Sequence, residues 1–308
     1  MVFHPFLQVK PAYLKLVYFI IIVACSLLLV NIFGLVLAVP FFGKSFIENL
    51  SSAPDYSDPL IIAQLKYLQV VNQLAIFIVP VLVFSMCAGK NISHYLKLSN
   101  KFKIFSLLIA AAIIILVLPL INLITEFNGN MSLPEQLGGV EKWMRDSEAE
   151  AAAVTNAFLD TATVGGFFIN ILMIAVLPAI GEEFFFRGVL QRLLGEWFKN
   201  VHVAVIVTAV IFSAFHLQFY GFLPRFLLGM FLGYIFYWSG SLWVPIIVHF
   251  INNGLAVVVA WLSARGMVDF NFETFGSSDN LFVIISSGVI VAGLMFVLFL
   301  SKKPEVRS

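Results

Sequence analysis

The sequence predicts an all-α fold, a polytopic bundle of about eight transmembrane helices, and three observations predict it. Of the 308 residues, 61% are hydrophobic and only 11% charged, with a mean hydropathy of +0.99, far from the composition of a soluble domain. Several stretches exceed the roughly 20 apolar residues that an α-helix needs to cross about 30 Å of hydrocarbon. No stretch shows the short alternating segments of a membrane barrel. The bilayer is therefore the expected medium. A formal net charge of +1 supplies no basic field, which argues against nucleic acid as a partner. Both cysteines, Cys25 and Cys87, fall in apolar segments and read as packed thiols rather than a disulfide.

Taken in order, the apolar runs predict spans over residues 16–39, 64–88, 104–125, 166–186, 201–217, 222–238, 242–262 and 281–300. The first is longer than the apolar region of a secretory signal and reads as an uncleaved anchor. With no internal repeat or low-complexity linker, residues 1–308 read as a single membrane domain. Residues 166–262 form its expected core, and 126–165 an acidic extracytoplasmic segment.

Loop charges orient the chain, because cytoplasmic loops collect Lys and Arg. After the second span come Lys90, Lys97, Lys101 and Lys103 with no acid, and the tail holds Lys302, Lys303 and Arg307 against Glu305. Between the third and fourth spans lie Glu126, Glu135, Glu141, Asp146, Glu148, Glu150 and Asp160 against Lys142 and Arg145. Both termini are thus expected in the cytosol. Residues 140–159 are expected to form a surface helix on the bilayer.

Against this apolar background, "IGEEFFFRGVLQ" at residues 180–191 stands out. An ionisable group at membrane depth is costly, and by default it faces the bundle interior with a partner. Glu183 and Arg187, at i,i+4, share a helical face as an ion pair, while Glu182 is turned about 100° away and needs another partner. The next span offers one in "FSAFH", where Phe212 and His216 share a face. If the chain turns near Lys199, Glu182 lies 199 − 182 = 17 residues before the turn and His216 lies 216 − 199 = 17 after it, so the two come level. The seventh span adds "HFINN", with His249 and Asn253 on one face and Asn252 beside them.

This set suits hydrolysis of an amide bond. A buried carboxylate can act as general base toward water, an imidazole can hold that water, and a His with an Asn can stabilise the developing oxyanion. Glu-Glu-x-x-x-Arg, Phe-x-x-x-His and His-x-x-x-Asn, in this order over about residues 167–262, resemble the CAAX protease and bacteriocin-processing (CPBP, or Abi) family of intramembrane glutamate proteases, type II CAAX prenyl endopeptidase-like. The resemblance implies an intramembrane endopeptidase with Glu182 as general base, His216 on the catalytic water, and His249 and Asn253 at the oxyanion. Glu183, Arg187, Phe212 and Asn252 would be supporting residues. It implies no resident cofactor or metal, and a membrane-associated substrate: a prenylated tail, a leader peptide or a membrane protein segment. Residues 1–165 and the last span carry no family signal. A bacterial inner (cytoplasmic) membrane is the expected location, and the sequence sets no oligomeric state.

Competing chemistries are less well supplied. His-Glu-x-x-His, Gly-x-Ser-Gly and Gly-x-Gly-Asp are all absent. Zinc held by Glu182, His216 and His249 is a chemically legitimate alternative. So is a noncatalytic scaffold or transporter, since buried carboxylates and histidines also build proton relays, although no carrier-like repeat is present. His4, His94 and His202 sit in termini, loops or helix ends and receive no role. Taken together, Arg187, Arg192 and Lys199 place Glu182 a turn or two below the cytosolic surface, in a cavity open to that face.

Overall fold

The computed structural model describes residues 6–50, 54–89, 91–268 and 281–301. Lys90, Lys302, Lys303, Glu305 and Arg307, on which the orientation partly rests, lie outside the described residues, as does His4. The described chain is built from helices: α1 (Ala12–Phe42), α2 (Pro59–Ala88), α3 (Ile104–Leu116), α4 (Leu118–Gly129), α5 (Gly138–Leu159), α6 (Val164–Phe198), α7 (Val201–Ala214), α8 (Phe222–Ser239), α9 (Trp243–Ala264) and α10 (Leu281–Leu300). Two one-turn helices, Ser45–Asn49 and Ile92–Tyr95, decorate the loops.

Among the described residues, six helices are long and apolar enough to cross a membrane, and α3 with α4 makes a seventh if the bent pair is one span. The bend is 47° and falls at Val117, two residues before Pro119, which cannot donate to the carbonyl of Ile115. The fifth expected span, residues 201–217, is α7, whose 14 residues give about 21 Å of rise, short of the hydrocarbon thickness. It is a short rod that buries one face, Ala204, Val205, Thr208, Ala209 and Phe212, in the bundle and leaves Val203, Ile206 and Val210 exposed.

Local chemistry sets the boundaries. Asp58 caps α2 by accepting from the Leu60 amide, with Pro59 in the first turn where its missing N–H costs nothing. Thr163 caps α6 through the Gly166 amide, and Asn200 caps α7 through the amides of His202 and Val203. Between α6 and α7 the chain reverses at Lys199, left-handed at φ 52, where the hairpin arithmetic puts the turn. Gly240, at φ 64, makes the same reversal between α8 and α9.

Two of the long rods widen to π geometry just before a proline: residues 74–78 ahead of Pro80, and 171–176 ahead of Pro178. A proline has no N–H for the carbonyl four residues back, and its ring crowds that carbonyl. A wider turn relieves the contact. A third π segment, Phe184–Leu190, contains Arg187 and no proline.

Packing is aromatic on one side of α6. Phe19, Phe77, Phe84, Phe185, Phe186 and Phe212 form a buried cluster in which α1 and α2 close around the middle of α6. On the other side, α7 and α8 pack closely because Gly229 has no side chain; a Cβ there would stand 3.1 Å from that of Ala209. Outward apolar residues such as Ile20, Leu28, Phe33 and Val289 are exposed and form the lipid-facing surface. Cys25 and Cys87 are both free thiols; Cys25 is exposed on that surface and Cys87 partly buried.

Candidate active site

The centre of the site is the short α-helical stretch Leu177–Glu183, held between the two π segments of α6. Consecutive residues there point to different neighbours. Glu183 turns into the bundle and is fully buried, as is Arg187, whose Nη1 donates to Glu183 Oε1 at 2.7 Å. Arg187 Nη2 donates to the carbonyl of Gly229 at 2.8 Å, and its guanidinium lies 5.0 Å from the Phe212 ring centroid. One turn on, Gln191 Nε2 donates to the carbonyl of Gly233 at 3.1 Å. Arg187 and Gln191 thus reach two carbonyls one turn apart on α8, and the close approach of the helices brings both within range.

His249 joins this network from α9. Its Nδ1 lies 2.9 Å from the same Glu183 Oε1, and its Nε2 lies 3.9 Å from Glu182 Oε2. A carboxylate oxygen only accepts, so Nδ1 carries a proton and Nε2 is the atom presented to Glu182. Glu183 therefore does more than pair with Arg187: it orients the imidazole that faces Glu182. Glu182 and His249 are both buried.

Glu182 points the other way, into a cavity of about 690 Å3 that it shares with His216, Asn253, Gln73 and Phe186. His216 Nδ1 lies 2.9 Å from the carbonyl of Phe212, which fixes that nitrogen as the donor and leaves Nε2 free. Its position just past α7 follows from the shortness of that helix. Asn253 is held on two sides. Its Oδ1 accepts from Asn252 Nδ2 at 3.0 Å, and its Nδ2 donates at 3.1 Å to the carbonyl of Ile174, the one Pro178 cannot serve. The second N–H of that amide is left over for the cavity.

Two features depart from expectation. First, Glu182 is not near a surface: α6 continues 198 − 182 = 16 residues beyond it, about 24 Å, so the carboxylate sits midway along the rod. Second, α5 walls the cavity. Ser147, Glu150, Val154, Thr155 and Phe158 line it. The helix is pinned at its end where Lys66 Nζ and Asn170 Nδ2 both donate to the Phe158 carbonyl, at 3.0 and 2.7 Å, and along its length where Glu148 accepts from the Tyr220 amide. The helix expected over residues 140–159 is present as Gly138–Leu159, but it is docked over the mouth of the site. The lysine-bearing loops lie at the other end, where Lys97 meets Leu242, Asn100 meets Gly240 and Lys15 meets Glu196. An external acidic segment and a cavity open to the cytosol therefore do not hold together.

Of the eight sequence-derived residues, Glu182, His216 and Asn253 line the cavity and His249 joins Glu183 and Arg187 in the network behind it, with Asn252 anchoring Asn253 and Phe212 in contact with both Arg187 and His216. Sequence reasoning missed Gln73. It is buried, lines the cavity, and its Oε1 has no hydrogen-bond partner. The available signal was a glutamine in an apolar span, with Gln69 one turn before it on the same face. Among the described residues, no three His, Cys, Asp or Glu side chains are arranged to hold a metal ion.

Residues 164–255 match a family model described as type II CAAX prenyl endopeptidase Rce1-like. Over 90 residues the chain is 33% identical to a Bacillus subtilis (strain 168) protein described as uncharacterized protein YpbD. That match covers 28% of this chain and 43% of the relative, less than half of its length. No solved structure matches the chain.

Proposed function

We propose, from the type II CAAX prenyl endopeptidase Rce1-like region at residues 164–255, that this chain is an intramembrane endopeptidase that cleaves a membrane-associated peptide or protein. The family match supports protease activity in general. The finer assignment rests on one observation: Glu182, His216 and Asn253 converge on a single cavity, with His249 held behind Glu182 by Glu183.

In this reading Glu182 removes a proton from a water that His216 Nε2 holds, and the resulting hydroxide attacks the scissile carbonyl carbon. Negative charge then develops on the carbonyl oxygen. The spare N–H of Asn253, fixed in advance by Ile174 and Asn252, is placed to stabilise it. His249 can add a second donor through Nε2 when the ring carries both protons, since Nδ1 is committed to Glu183. Collapse of the intermediate breaks the C–N bond, and Glu182 returns its proton to the leaving amine. Arg187 neutralises Glu183 and keeps that carboxylate from competing with Glu182 for the water.

The bilayer is the solvent and a bacterial cytoplasmic membrane the proposed location. With the lysine-bearing end in the cytosol, as the charge rule for loops has it, the cavity opens toward the other face, past α5. A substrate segment then enters beside α5 or sideways between helices. Comparing the membrane-associated peptides of cells expressing wild-type and Glu182→Gln protein tests this reading. Fragments present only with the wild type support it; identical peptide profiles overturn it in favour of a binding or transport role.

A further inference from the structure

A second cavity, of about 560 Å3, opens at the lysine-bearing end of the bundle, away from Glu182. Its lining includes Lys15, Lys97, Arg192, Glu196, His94 and Tyr95. Glu196 is the one carboxylate among the described lining residues, and it is already engaged by Lys15 Nζ at 2.9 Å. Lys97 and Arg192 are thus left with uncharged partners. Arg192 Nη1 donates to the carbonyl of Tyr95, and its guanidinium lies 4.6 Å from the Tyr95 ring. Lys97 Nζ lies 5.3 Å from the ring of Phe236.

Two half-buried cations facing one cavity repel each other, and uncharged contacts offset only part of their lost hydration. Burial, with the charge of Arg192 beside it, holds the Lys97 ammonium below its ordinary pKa. An anion bridging the two would remove that penalty. Its chemistry is set by the donors: a planar guanidinium with N–H groups to spare and a compact ammonium together suit a tetrahedral phosphate.

Position narrows the source. The cavity lies where the apolar helices start or stop, lined by Lys15 in the first turn of α1, Ala88 at the end of α2 and Glu196 in the last turn of α6. Nearby Tyr13, Trp197 and Phe198 are exposed, as aromatic side chains are at a membrane–water interface. A basic pocket at that depth is at the level of lipid headgroups.

We propose that this cavity binds the phosphate of an anionic membrane lipid, with Lys97 and Arg192 as its two cationic contacts. The site is separate from the proposed catalytic centre, and its test needs no substrate.

Purified full-length protein is titrated with phosphatidylglycerol or phosphatidylcholine of matched chain length, and bound lipid is read by native mass spectrometry alongside thermal unfolding. Selective retention of phosphatidylglycerol is expected, with a raised Tm. Lys97→Gln is expected to weaken it roughly tenfold, and Lys97→Arg to restore much of the loss. Phosphatidylglycerol that stays bound in excess inorganic phosphate identifies the lipid as the source. Phosphate that displaces it and raises Tm by itself identifies free phosphate as the ligand, which keeps the site but overturns the lipid assignment. Equal retention of both lipids, or a well-folded Lys97→Gln protein that binds phosphatidylglycerol like the wild type, overturns the proposal. Should Lys97→Gln fail to fold, the two-lipid comparison and phosphate competition on the wild type still decide it.

Discussion

Removing the charge of Glu183 tests whether the buried network is a unit. In the structure Glu183 and Arg187 are both fully buried and 2.7 Å apart. Glu183→Gln leaves Arg187 with the Gly229 carbonyl and the face of Phe212, an uncompensated cation in the bundle interior. Breaking a buried pair from one side costs about 3–5 kcal/mol. Arg187→Met strands the carboxylate instead, but the His249 Nδ1–H still donates to it at 2.9 Å. Its cost is expected at the low end of that range. Because each single change strands the charge of the other member and the double variant removes both charges, the double variant should cost no more than the worse single, a coupling of about 3 kcal/mol. Reversible unfolding in mixed micelles, followed by helix signal, measures all four proteins. Additive single effects would refute the claim that the two side chains form one buried unit, and would remove the reason for His249 to be held where it is.

Three further outcomes are expected. Asn253→Ala removes the proposed oxyanion donor and also frees the Ile174 carbonyl, so turnover should fall by about 10²-fold or more, with KM changed far less; a loss carried by KM alone would move Asn253 to substrate binding. Gln73→Ala, which leaves the Glu182–His249 contact untouched, should raise KM for a peptide substrate by roughly five- to tenfold while kcat stays within about threefold, and unchanged kinetics would make Gln73 a packing residue only. Strong chelators should leave turnover unchanged; inactivation reversed by added zinc would promote the metal mechanism.

What the sequence could reveal followed from how local each feature is. Spans follow from apolar run length, and the reversal at Lys199 from a polar break between two such runs, so the level match of Glu182 and His216 needed only counting. The pairing of Glu183 with Arg187 was legible for the same reason, since i,i+4 geometry is internal to one helix. Contacts between distant segments carried no such signal. That Glu183 holds His249, that Asn253 answers the carbonyl freed by Pro178, and that α5 closes over the cavity all depend on how separate helices pack. The depth of Glu182 was misjudged because Arg187 reads as a surface marker in sequence, whereas it is an interior cation with its own carboxylate. α7 looked like a full span because apolar residues continue past Ala214 into the turn that carries His216.

The central claim is that Glu182, not its buried neighbour, is the base. The most direct measurement is kcat/KM of purified Glu182→Gln protein against wild type on one cleaved membrane-associated peptide, with unfolding followed in parallel. Glutamine keeps the shape of the side chain in the cavity and removes its ability to take a proton from water. A fall of about 10²-fold or more with near-wild-type stability is the predicted result. Wild-type-like cleavage by the Glu182→Gln protein would contradict the account.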